Sequence, residues 1–103
     1  MCGRFALESR PEKIKAQFSA EGLPDLVPRY NIAPSQDVLF LMQSSDASIH
    51  GELFTWGLIP FFSKEKKVIP PLYNARAETI ATKPSFRDAL KSRRGIVIMS
   101  GFF

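Results

Sequence analysis

The sequence predicts an α+β fold of short strands, two helices and long loops shaped by proline. Three observations lead there. Eight prolines and nine phenylalanines in 103 residues favour a loop-rich, mostly β chain. Short apolar runs bounded by turn residues read as strands. Two stretches carry helical spacing behind a capping residue or an early proline.

In order, Gly3 to Leu7 reads as a strand. Ser9 is the expected cap of a helix from Pro11 to Ala20, with Pro11 in the first turn, where its missing N–H costs nothing. Ile14 and Phe18 fall on one face of that helix. Pro24, Pro28 and Pro34 hold the next segment extended and irregular. Val38 to Gln43 is a strand, Ser44-Ser45-Asp46 a turn, and Glu52 to Trp56 a second strand. Phe61 to Leu72 is a long loop, and Asn74 to Glu78 a short extended piece. Thr82 caps a predicted helix from Lys83 to Arg93, with Phe86, Ala89 and Leu90 as its buried stripe. Ile96 to Met99, apolar on both faces, reads as a central strand.

A chain of 103 residues is one domain at most, or part of one. It buries roughly 60–65% of its unfolded surface. With 45% hydrophobic and 23% charged residues it is an ordinary globular composition. No apolar run approaches the ~18 residues that span a bilayer, and no secretory signal follows Met1. One cysteine excludes an intramolecular disulfide framework, and with a single distant histidine, His50, no metal site can be argued. The formal charge of +4 suits a polyanion without proving one. The Lys64–Lys67 run reads best as a solvated loop. The sequence ends at Gly101-Phe102-Phe103 inside an apolar run, whereas domain termini are normally polar. Part of the domain is therefore expected to be missing.

Cys2 follows the initiator methionine, and methionine removal would expose a 1,2-aminothiol. The α-amine titrates near 8 and the thiol near 8.5, so both nucleophiles are accessible near neutral pH. An aldehyde would form an imine with the amine, and the thiol would close a thiazolidine ring. Arg4, two residues on, shares a face with Cys2 if the segment is extended. The plainer reading is a small packed hydrophobe. Asn74, Arg76 and Glu78 share one face of an extended segment and could orient a nucleophile and hold a phosphate, or form a solvent-facing edge. Asn31 to Gln36 is a binding loop or simply a turn. Trp56 reads as core. Phe61 and Phe62, in a loop after Pro60, could present an aromatic wedge to unstacked bases.

Together the motifs are more telling. Met1-Cys2-Gly3-Arg4-Phe5, Tyr30-Asn31-Ile32-Ala33-Pro34, Trp56-Gly57-Leu58-Ile59-Pro60, Asn74-Ala75-Arg76-Ala77-Glu78-Thr79 and Lys83-Pro84-Ser85-Phe86-Arg87 closely resemble the SOS response-associated peptidase family, in order and spacing. The resemblance runs over essentially the whole chain. It implies a curved, barrel-like, mainly antiparallel sheet with flanking helices. It further implies recognition of abasic sites in single-stranded DNA, covalent crosslinking through Cys2, and autocatalytic removal of Met1. Asn74 would orient the sugar or the cysteine, and Arg4 and Arg76 would hold phosphates. Arg87 would contact the backbone, Asn31 and Pro34 would line the cleft, and Phe61 and Phe62 would form the wedge, where tryptophan is common in the family. No cofactor and no membrane are implied. The place of action would be the cytoplasm of a bacterium or the nucleus of a eukaryote.

The departures matter too. The family reads Arg-Cys-Leu-Val-Pro-Ala before Gly-Phe-Tyr-Glu-Trp, where this chain has Arg94 to Ser100 before Gly101-Phe102-Phe103. The resemblance thus implies that residues 1–103 are the N-terminal part of a single domain whose C-terminal half is absent, and that the strand over 96–103 needs a neighbour from elsewhere. The family's glutamate would fall just past Phe103, and its histidine in the missing half; both serve as acid/base groups. With Met1 attached, the Cys2 amine is a peptide nitrogen and the ring cannot close. A non-catalytic single-stranded nucleic-acid binding module with an idle Cys2 is the alternative reading.

Overall fold

Phe5, Leu7, Ile32, Leu39 and Leu41 turn inward from short strands and set the architecture. The computed structural model describes residues 3–60 and 72–103. It divides into two compact units, one of Cys2–Trp56 with Gly95–Phe103 and one built on Gly57–Arg94.

The first unit holds β1 (Phe5–Leu7), α1 (Pro11–Phe18), β2 (Ala20–Gly22), β3 (Arg29–Ile32), β4 (Asp37–Gln43) and β5 (Ile49–Thr55), then β6 (Ile96–Val97) and β7 (Gly101–Phe102). Its strands form two sheets, ordered β3-β1-β7 and β2-β5-β4-β6. All pairings are antiparallel except β2 with β5. The chain is thus α+β, but no closed barrel forms among the described residues.

The longest ladder is the β4–β5 hairpin, in register from Asp37↔Thr55 to Gln43↔Ile49. Its turn closes with Ser44 N–H donating to Ser48 O at 2.8 Å. The Asp46 carboxylate accepts from the Ser48 hydroxyl at 2.6 Å and the Ser48 N–H at 3.0 Å. These bonds, the hydroxyl first, hold the Asp46 carboxyl below the usual carboxylate range. Beneath the hairpin, Leu39 and Leu41 meet Phe5, Leu7, Ile14, Ile32, Val38 and Ile98, with Trp56 and Phe18 packed alongside. Gly51 lets β5 approach this core: a Cβ there would stand 2.7 Å from Leu23 Cδ2 and 2.9 Å from Leu41 Cδ2.

Several expectations need correction. α1 begins as predicted, and Ile14 is buried against the core. Its N-cap, however, is Arg10 without a side-chain bond. The Ser9 hydroxyl is taken up by Ser100 Oγ at 3.1 Å. The helix stops early at Ser19, whose φ of 54° is left-handed, and Ala20 starts β2 instead. The proline-bracketed segment includes a strand, β3, because Ile32 has a core site to fill.

The single strand expected over 96–103 is two short strands; among the described residues β6 pairs with β4 and β7 with β1. Between them Ser100 N–H donates to Ala6 O at 2.7 Å, and Ser100 Oγ accepts the Glu8 N–H at 3.0 Å. These bonds move the chain from one sheet to the other. Ile98 alone of this run is deeply buried; Ile96, Val97 and Met99 are exposed.

In the second unit, Leu58 and Leu72 exchange two backbone bonds of 2.8 Å. Turns follow from Arg76 onward, and α2 (Arg87–Ser92) is shorter than the helix expected over 83–93. Thr82 does not cap it; its hydroxyl donates back to Thr79 O at 3.2 Å. Phe86, Ala89 and Leu90 are only half-buried.

Candidate nucleic-acid interface

β1 is the middle strand of its sheet, so both flanks of the segment leaving Gly3 are pinned. Phe5 is 2% exposed and points into the core. Arg4, one residue earlier, therefore turns to the opposite, solvent-facing side. There its Nη1 donates to Asn31 Oδ1 at 3.0 Å. Asn31 sits on β3 beside the core residue Ile32 and, by the same alternation, faces outward. Of the residues singled out in the sequence, these two are brought into direct contact. They present a guanidinium and an amide on an exposed sheet face.

The loop after β3 is held from several sides. Arg29 Nη2 donates to Gln36 Oε1 at 2.8 Å, and the same oxygen accepts the Ala33 N–H at 3.0 Å. Arg29 Nη1 also donates to the Asp37 carbonyl. Ser35 N–H donates to Trp56 O at 3.0 Å, and Trp56 N–H to Gln36 O at 2.9 Å. Ser35 has φ 74°, a left-handed turn position. Pro34 is half-buried within this frame. The Trp56 ring packs on Phe5 at 5.4 Å between centroids, so Trp56 is part of the core.

Sequence reasoning missed the part played by Arg29 and Gln36. One signal was present: Arg29 follows Pro28, and Gln36 follows Pro34 by two residues, so proline already restrains both ends of the loop. No motif marked the pair as partners.

In the unit built on Gly57–Arg94, Asn74, Arg76 and Glu78 are exposed. The expected shared extended face does not run on to Glu78. The Arg76 carbonyl accepts from Thr79 N–H and Ile80 N–H at 3.2 and 2.9 Å, so the chain turns before Glu78 can continue the alternation. Arg87 opens α2 and is exposed. Cys2, Phe61 and Phe62 lie outside the described residues. Among the described residues, no group of three or more His, Cys, Asp or Glu could hold a metal. No helix there is long and apolar enough to cross a membrane.

Comparison with known proteins agrees with the motifs. The chain is 42% identical over 106 residues to the abasic site processing protein YoqW of Bacillus subtilis (strain 168), covering 100% of this chain and 47% of that relative. YobE of the same organism, also named an abasic site processing protein, is 42% identical over 106 residues, with 100% and 48% covered. The abasic site processing protein YedK of Escherichia coli (strain K12) is 36% identical over 110 residues, with 100% and 47% covered. The chain thus spans about half the length of the curated relatives it matches. The family model described as SOS response associated peptidase (SRAP) matches residues 1–103, from the N-terminal Cys-Gly-Arg motif through β7, and the chain belongs to that family.

Proposed function

We propose that this chain is the part of an abasic-site processing protein that recognises base-less positions in single-stranded DNA and captures them through Cys2. The observation that carries the reading is the Arg4–Asn31 pair, fixed on an exposed sheet face two residues after Cys2. Membership of a family with relatives named for abasic-site processing adds to it.

Hydrolysis of the Met1–Cys2 bond, an autocatalytic cysteine-peptidase step in this reading, frees the amine. The amine attacks the aldehyde of the ring-opened sugar, and loss of water gives an imine. The Cys2 sulfur then adds to the imine carbon, its proton passes to nitrogen, and a five-membered thiazolidine closes. Arg4 and Arg76 hold phosphates beside the lesion, and Arg87 contacts the backbone. Asn74 orients the sugar or the cysteine. Asn31 and Pro34 line the cleft, and Phe61 and Phe62 form the wedge.

The acid/base groups belong to the part of the relatives' length not covered here. The β1–β7 ladder supports that division: a β7 continued in register would bring the family's glutamate alongside the residues ahead of Arg4. In this reading polypeptide from that other half, on the same chain or a second one, completes the fold beside β6 and β7, each paired on one side among the described residues. Relatives from bacteria named for abasic-site processing support a cytoplasmic place of action in this reading.

The test uses protein lacking Met1 and a single strand with one abasic site. A heat-stable adduct that disappears in Cys2→Ala is expected. No adduct, or equal adduct from Cys2→Ala, would falsify the capture reading. Equal binding of intact and abasic strands without capture would favour a non-catalytic module with an idle Cys2.

A further inference from the structure

We propose that Gln36, together with Arg29, is a positioning residue for Asn31: one side-chain oxygen ties down the chain on both sides of Asn31 and holds its amide ready for the DNA strand. The role rests on the single-stranded DNA reading above, and both residues act through Asn31 rather than on the strand itself.

The register of β1 with β3 shows why Asn31 needs such support. Phe5 pairs with Ile32 and Leu7 with Arg29, so two steps along β1 match three along β3. That is the count of a β-bulge, with Tyr30 and Asn31 together opposite Ala6. Opposed residues in an antiparallel pair project to one face, so Arg29 shares the inner face with Leu7, and Ile32 shares it with Phe5. Tyr30 and Asn31, between them, are both exposed. A bulge leaves its extra residue out of the ladder. Strand pairing alone therefore does not fix the backbone that carries Asn31.

Gln36 Oε1 supplies what the ladder lacks. It accepts from Arg29 Nη2 at 2.8 Å and from the Ala33 N–H at 3.0 Å. Those donors belong to the residues two before and two after Asn31, so a single atom closes the segment around it. Arg29 Nη1 donates to the Asp37 carbonyl, which ties the same end to the start of β4. Gln36 is itself fixed: its N–H donates to Ala33 O at 3.2 Å, and its carbonyl accepts the Trp56 N–H at 2.9 Å. Trp56 in turn packs on the core residue Phe5. A continuous series of contacts thus runs from the core through Gln36 to both flanks of Asn31, and from Asn31 Oδ1 to Arg4.

The chemistry of the pair fits positioning better than direct contact. A guanidinium presents its donors in a rigid fork. Both terminal nitrogens of Arg29 are directed to the loop, one to Gln36 and one to Asp37, and the side chain is half-buried. A side chain ordered before its ligand arrives spares the cost of ordering it on binding. Losing the clamp should therefore weaken binding a few-fold without removing a phosphate contact.

The experiment uses the full chain with Arg29→Met, Gln36→Met and Asn31→Ala, and with each Met replacement combined with Asn31→Ala. Methionine keeps roughly the reach of either side chain without its polar atoms. The probe is a labelled single strand with a tetrahydrofuran abasic analogue, which has no aldehyde and cannot crosslink. Anisotropy is read over a salt series, at a temperature where melts show every variant folded. Each Met variant should bind about two- to fivefold more weakly than wild type, with the salt slope unchanged. On top of Asn31→Ala, either replacement should change affinity by less than about 1.5-fold, because no amide is left to position. With no strand present, the Asn31 side-chain amide signals in the NMR spectrum should move in Gln36→Met toward those of a free asparagine.

The proposal is overturned if the folded Met variants bind as wild type does, which would make the clamp a matter of stability alone. It is overturned if Arg29→Met flattens the salt slope by about 0.7, the mark of a phosphate contact. Losses that add in full to that of Asn31→Ala, or unshifted Asn31 signals in Gln36→Met, would overturn it as well. Gln36 is exposed, so its replacement decides the matter even if Arg29→Met does not fold. A wild type that bound neither intact nor abasic strands would overturn the DNA reading instead. The Asn31 signals, read without DNA, would still decide whether Gln36 holds that side chain.

Discussion

Replacing Arg4 by Gln removes a charge while keeping a side chain that can still meet Asn31. Arg4 stands on the middle strand of its sheet and is held by Asn31 at 3.0 Å, so its charge has a fixed place. If that charge neutralises one phosphate, each such contact contributes about −0.7 to the slope of log K against log salt for a single strand. Arg4→Gln should therefore flatten the slope by about 0.7. Between 50 and 200 mM salt, a fourfold rise, the advantage of wild type over the variant should shrink by about 2.6-fold. Asn31→Ala should behave differently. It leaves the charge but removes one of its restraints, so affinity should fall about two- to fivefold through lost ordering while the slope stays that of wild type. Fluorescence anisotropy with a labelled abasic-analogue strand, titrated at four or more salt concentrations, reads both quantities. Parallel salt lines for wild type and Arg4→Gln would refute the phosphate role. A flattened slope for Asn31→Ala would refute the division of labour between the two residues.

Two further outcomes concern the scaffold. Gly51→Ala should destabilise by about 1–3 kcal/mol, because its Cβ would stand within 3.0 Å of Leu23, Leu41 and Leu39 side-chain atoms, two of them on core leucines. Thermal melts should show that loss, with part of it recovered by adding Leu23→Ala; an unchanged midpoint would mean the core yields freely there. The second outcome follows the depressed Asp46 carboxyl, whose native pKa lies below its unfolded one. Its contribution is present above the unfolded pKa, about 3.9, and disappears as pH falls through the lower native value. The melting difference between wild type and Asp46→Ala should thus be largest near neutrality and close at strongly acid pH. A difference that grew on acidification would contradict the sign.

Legibility in the sequence tracked how much local pattern each element carried. β4 announced itself through an apolar run and the polar turn after it, whereas β5 was read only from Glu52, three residues inside its start at Ile49. α1 was legible from Pro11 and the Ile14–Phe18 spacing. Its end was not, because a left-handed Ser19 leaves no compositional mark. β2 and β3 exist through pairing with distant partners: Ala20–Gly22 lies beside β5, and Arg29–Ile32 beside β1. Neither stretch has the apolar content to predict itself. In the site, Arg4 and Asn31 were each marked by motif, yet their contact depends on strand order, which no local signal encodes. The Arg29–Gln36 clamp carried only its flanking prolines as a signal, which restrain the loop without naming the partners.

The run at 96–103 is the most instructive, because it reads as one strand and is two. Ile96 to Met99 is apolar on both faces, and continuous apolarity usually means a strand buried on both sides. Here one short segment serves two sheets in succession. Ile98 is driven into the core at 6% exposure while its neighbours stay exposed, and Ser100 then satisfies the Ala6 carbonyl and the Glu8 N–H. The hand-over has a consequence for the outer face. By fixing Ser100 against Ala6, it sets Gly101 opposite Ala6 and Phe102 opposite Phe5, and alternation then delivers Phe103 beside Arg4. A slip of one residue would turn that ring to the opposite side. The apolar run that reads as one strand is thus what fixes the register of β7 as the second sheet's partner.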